Sequence, residues 1–98
     1  MFRSLLLVAL IACGDNFASV QKEDSIEAYE KFLADNPGSR WELQANDRLE
    51  TLYLEKATQE KSLAAYDAYL DRFPQGKLRS RALGEREGFL FDWAKGEG

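Results

Sequence analysis

The sequence predicts an all-α fold: two tandem helical hairpins, four helices in all, behind an apolar N-terminal segment. Three observations predict it. One pattern of 37 residues occurs twice without a gap, over residues 25–61 and 62–98. Within each copy the aromatic and aliphatic residues recur at helical spacing, and a proline closes the first helix of both. A chain of 98 residues with 45% apolar and 31% charged residues also has the balance of one small globular unit.

In chain order, the first element is an address. Met1-Phe2-Arg3-Ser4 carries one positive charge, and Leu5 to Ala12 is an unbroken apolar run of eight. Those are the charged and apolar regions of an export signal, and eight helical residues, about 12 Å, fall short of a bilayer. Leu10-Ile11-Ala12-Cys13-Gly14 resembles the lipobox of bacterial lipoprotein signal peptides. That resemblance implies cleavage before Cys13, a diacylglyceryl thioether on its sulfur and acylation, commonly by palmitate, of its new α-amine. Two or three acyl chains make a stable anchor where one is marginal. Residues 1–12 are thus read as a lipoprotein signal peptide. Residues 13–24, with Gly14, Asp15, Asn16 and Ser19 and no sustained periodicity, are read as a lipidated tether. Gly14, where an aspartate would signal inner-membrane retention in enterobacteria, implies the outer membrane, facing the periplasm, in a Gram-negative cell.

The two copies of the repeat superpose Ser25 on Ser62, Ala28 on Ala65, Tyr29 on Tyr66, Leu33 on Leu70, Pro37 on Pro74, Ala45 on Ala82, Glu50 on Glu87 and Ala57 on Ala94. A constant offset of this kind marks a repeat architecture. Ile26, Tyr29, Phe32 and Leu33 make one helical stripe, echoed by Leu63, Tyr66, Tyr69, Leu70 and Phe73. Asp24 with Glu27 has capping-box spacing, and Ser62 can cap the equivalent helix. Pro37 and Pro74 stop these helices, because the residue before a proline is driven out of the helical region. Ser39 to Glu42 is a second capping box, opening a helix to about Thr58, with Gly76 in the cap's place in the later copy. The core stripes of the second helices are Trp41, Ala45, Leu49, Leu52 and Leu78, Ala82, Phe89, Trp93.

The spacing of Tyr29-Phe32-Leu33-Pro37 and Tyr66-Tyr69-Leu70-Pro74 resembles the tetratricopeptide-like proteins of bacterial envelopes, in which a Tyr-x-x-Phe/Tyr-Leu-x-x-x-Pro core recurs. The likeness covers residues 25–95. It departs from the common pattern in its period of 37 rather than 34, in lacking the Trp-x-x-Leu-Gly-x-x-Tyr opening and in having two copies. The resemblance implies a protein-docking scaffold of the cell envelope without catalysis.

Composition excludes several classes. With no histidine and one cysteine, the chain has no zinc site of the usual kind, no Ser-His or Cys-His nucleophile and no internal disulfide. No metal, cofactor or catalytic residue is expected. A net charge of −4 speaks against nucleic acid. Two repeats are fewer than such arrays usually need, so an unsatisfied face is expected at the last helix. Leu43 and Leu54 lie opposite the Trp41 stripe, towards a following hairpin; at their places the second copy has Ser80 and Phe91. Phe91, with Leu83 and Leu90, is therefore the expected docking patch for an envelope protein partner, or for a second copy in a homodimer. Arg72, Lys77, Arg79, Arg81 and Arg86 gather basic charge around the second turn, suited to anionic headgroups or an acidic partner. A binding protein for a cell-wall peptide or glycan, using Tyr29, Tyr66 and Tyr69, is the alternative from another class. A purely structural small lipoprotein is the third reading.

Overall fold

The computed structural model describes residues 16–97, and all regular structure among them is helical: α1 (Phe17–Glu23), α2 (Ile26–Asp35), α3 (Glu42–Glu60), α4 (Leu63–Arg72) and α5 (Arg79–Glu97). The all-α class holds, with five helices in place of four. The signal segment 1–12 and Cys13 lie outside the described residues. Within the expected tether, residues 17–23 form α1.

The 37-residue offset is reproduced in the helix lengths, the N-caps and the helix exits. Both α2 and α4 have ten residues and both α3 and α5 nineteen. Ser25 and Ser62 are extended N-caps whose hydroxyls accept the N–H of Ala28 (3.1 Å) and Ala65 (3.0 Å). Ser25, and not Asp24, thus caps α2. Asn36 and Phe73, each just before a proline, leave the helix with φ −131° and −128°, and their N–H groups close the last turn onto the carbonyls of Phe32 and Tyr69. Asp24 and Lys61 share a left-handed conformation, φ 53° and 52°, and each N–H returns to a carbonyl four residues back, Val20 and Ala57.

That last correspondence explains α1. Phe17, Val20 and Asp24 stand one repeat before Leu54, Ala57 and Lys61, so α1 repeats the final turns of α3. Seven residues cannot hold a helix alone; packing holds this one. The Phe17 ring stacks on Trp41 (5.1 Å between centroids, 8° between planes) and meets Phe32 at 5.1 Å and Tyr29 at 6.3 Å.

The chain divides into two compact units between Leu49 and Glu50, inside α3. In the first, Phe17, Val20, Tyr29, Phe32, Ala45 and Leu49 are buried. Asp24 receives a two-pronged ion pair from Arg48, 2.9 and 2.8 Å, and the Tyr29 hydroxyl donates to it at 3.1 Å. In the second, Leu54, Ala57, Ala65, Tyr66, Tyr69 and Ala82 form the core, flanked by Tyr53, Leu70, Phe73 and Leu78. Each unit follows one plan: the tail of a long helix, a short helix, then the start of the next long helix. The second half of α5 comes after that plan is complete.

Two core expectations are corrected. Leu43 is 84% exposed, on the side of α3 away from the buried Ala45. Trp93 is 59% exposed. At 1.5 Å per residue, α5 runs about 28 Å against about 15 Å for α4, so the expected stripe outruns the helix that would cover it.

Candidate functional site: the tail of the last helix

Beyond Ala82, α5 has two different faces. Leu83, Leu90, Phe91 and Ala94 share one, by the 3.6-residue period. Leu90 is half-buried, Leu83 is at the margin of exposure at 37%, and Phe91 is 63% exposed with the Lys95 ammonium 5.4 Å over its ring. The expected docking residues therefore do lie together. Their register gives the patch its meaning. Leu90, Phe91 and Ala94 occupy the places of Tyr53, Leu54 and Ala57, one repeat earlier. Leu54 and Ala57 are sealed beneath α4, and Tyr53 packs edge-on against Phe73, 5.5 Å between centroids.

The opposite face of α5, with Phe89, Asp92 and Trp93, borders a cleft of about 540 Å³. Thr58, Lys61, Tyr66, Glu85 and Gly88 complete its lining. Glu85 is its most constrained group. The Thr58 hydroxyl at 2.7 Å, then Arg81 at 2.8 Å and the Tyr66 hydroxyl at 3.2 Å, hold its carboxyl below the usual carboxylate range. Burial, and then Glu85, push the Tyr66 phenol up. The first unit has the opposite charges at these places: Asp24 for Lys61 and Arg48 for Glu85. There the pair closes on itself, whereas in the second unit Glu85 turns to Arg81 and the cleft stays open beside Gly88, whose missing side chain meets nothing within 4 Å. Phe89 and Trp93, at core spacing in the sequence, border this cleft instead. The visible signal was the charge reversal between the copies.

The other expected residues are dispersed or engaged. Arg81 pairs with Glu85, Arg86 with Asp67 at 2.9 Å, and Arg72 lies 4.8 Å over the Phe73 ring. Lys77 and Arg79 are exposed. All three tyrosines are buried; the hydroxyls of Tyr29 and Tyr69 donate to Asp24 and Glu50, and Tyr66 borders the cleft. Among the described residues no cluster of acidic or cysteine side chains could hold a metal ion, and no helix is long and apolar enough to cross a membrane. No protein-family model, curated protein or solved structure matches the chain.

Proposed function

We propose that the chain is a lipid-anchored interaction module of a bacterial cell envelope, built from tetratricopeptide-like hairpins, that docks a protein partner on the tail of its last helix and has no catalytic role. Residues 1–12 serve as its lipoprotein signal and Cys13 carries the lipid, with the domain facing the periplasm from the outer membrane in a Gram-negative cell. One observation carries the docking reading: Phe91 is 63% exposed where its counterpart Leu54, one repeat earlier, is 1% exposed under α4. Burying a phenylalanine is worth about 1.5–3 kcal/mol, so the exposed ring is a substantial reserve of binding energy. Leu90 and Leu83 extend it into a patch, and a membrane anchor would hold it near its partner.

A photo-crosslinking residue placed at position 91 in cells tests this, with the exposed Ser80 site of the same helix as control. A discrete adduct from 91 that is absent from 80 is expected. Equal or absent crosslinking at the two positions contradicts docking on this face. The anchor is tested separately: Cys13→Ser abolishes incorporation of a clickable fatty acid and releases the protein from the membrane fraction.

The cleft beside Trp93 favours a second reading, as a binder of a small peptide. Three aromatic side chains and the carboxylates of Glu85 and Asp92 suit an apolar chain ending in a cation. Titration with cell-wall peptides carrying a free amine separates this from docking, since it is lost in Trp93→Ala and indifferent to Phe91→Ser.

A further inference from the structure

Three stretches one repeat apart, residues 17–23, 54–60 and 91–97, put a large apolar residue first and a small aliphatic one three places on: Phe17 and Val20, Leu54 and Ala57, Phe91 and Ala94. The first two are occupied in the same way. Phe17 and Val20 are buried in the unit formed by α2, with Phe17 against Tyr29 and Phe32. Leu54 and Ala57 share a core with Ala65, Tyr66 and Tyr69 of α4. Both accepting helices read Ser-x-x-Ala-Tyr-x-x-(Phe/Tyr)-Leu, from Ser25 and from Ser62. The interface is thus built twice within the chain, and its donor half occurs a third time.

We infer that the partner of the Leu90–Phe91–Ala94 face is a serine- or threonine-capped amphipathic helix of the same kind, with an alanine, a tyrosine and a second aromatic residue at successive positions i, i+1 and i+4. This rests on the docking reading above and names the partner's chemistry. The shapes are reciprocal: a large-then-small pair on the tail meets a small-then-large stripe on the accepting helix. Leu90 replaces Tyr53, whose contact is the Phe73 ring, so an apolar residue seven places after the partner's tyrosine extends the fit. Lys95 takes the place of Thr58, whose hydroxyl and the Tyr66 phenol both donate to Glu85, and puts a charged donor near the partner's tyrosine.

The probe is a peptide of residues 61–74, stapled between positions 67 and 71, both exposed on α4, and shown to be helical by circular dichroism. Its fluorescently labelled form is titrated with the full chain. Saturable binding is expected, weakened at least about tenfold by Phe91→Ser in the protein and equally by replacing both peptide tyrosines with serine. Phe91 is exposed, so its serine variant keeps the helical spectrum and melt of the parent. Absence of binding by the helical peptide overturns the inference. So does binding that ignores Phe91→Ser, which marks the peptide as a competitor for the chain's own Leu54 tail. Crosslinking from position 91 without peptide binding leaves docking standing and removes this partner chemistry; failure of both removes both.

Discussion

Position 76 is glycine for want of space. A β-carbon there would collide with the Glu50 carboxylate and lie 2.7 Å from the Tyr69 hydroxyl. Those two groups are bonded to each other, and Glu50 also accepts the Leu78 N–H at 2.9 Å, at the entry to α5. In the first unit the same N–H, that of Trp41, goes to the Ser39 hydroxyl at 3.0 Å, and Phe32 stands in place of Tyr69. One repeat satisfies the donor with a local serine and the other with a buried glutamate, and each choice fixes its neighbours. Gly76→Ala should cost about 1–3 kcal/mol by overpacking, read as a lower urea midpoint. Adding Tyr69→Phe should return part of that loss, because the two sites share the crowded atoms. Burial, and then Glu50, hold the Tyr69 phenol far above its ordinary value. The unfolded phenol ionises near pH 10, so the stability this group supplies is intact below about pH 10 and lost as pH rises towards the folded value. Melting temperature should therefore fall less steeply above pH 10 in Tyr69→Phe than in the parent. Equal slopes would mean that the phenol is not held in this way. None of this could be read from Gly76 alone, since serine-to-glycine at a cap position looks like simple exchange between capping residues.

At the scale of elements, α2 and α4 were legible because signals agreed: a serine cap, a stripe of Tyr and Phe or Tyr, and a proline after the stop. The capping box at Ser39 was legible as a start but not in its geometry, for Ser39 bonds Trp41, two residues on. The helix α1 was not legible at all. Two large apolar residues in two turns give no sustained periodicity, and part of the packing that stabilises it comes from Trp41, distant in sequence. Only the offset of 37, carried upstream of Ser25, pairs Phe17 with Leu54. Phe17→Ala measures the difference between a tether and a packed element. Loss of a buried aromatic side chain predicts a cost of about 3–5 kcal/mol, whereas an idle tether predicts a change within about 0.5 kcal/mol. A thermal or urea melt decides between them.

For the whole molecule, the phase of the repeat matters more than its period. The sequence suggests boundaries at 25, 62 and 98, yet compactness divides the chain between Leu49 and Glu50, in mid-helix. A repeat has no intrinsic first residue; the unit that buries its own apolar surface sets the phase. Counted that way, residues 17–49 and 54–86 follow one plan, and residues 91–97 repeat its opening stretch. The exposure of Phe91, on the face proposed for docking with Leu83 and Leu90, was legible from the offset, because Phe91 falls at the place of the buried Leu54. The cleft at Trp93 was not, because its aromatic residues sit at core spacing and only the shortness of α4 exposes them. Amide hydrogen exchange along the full chain tests most directly whether the tail of α5 is an unfilled copy of the tails at α1 and α3. The account predicts that amides of residues 54–60 exchange only by near-global unfolding, while those of 91–96 exchange by local fraying, orders of magnitude faster. Equal protection of the two stretches would show the third tail already covered, and would contradict it.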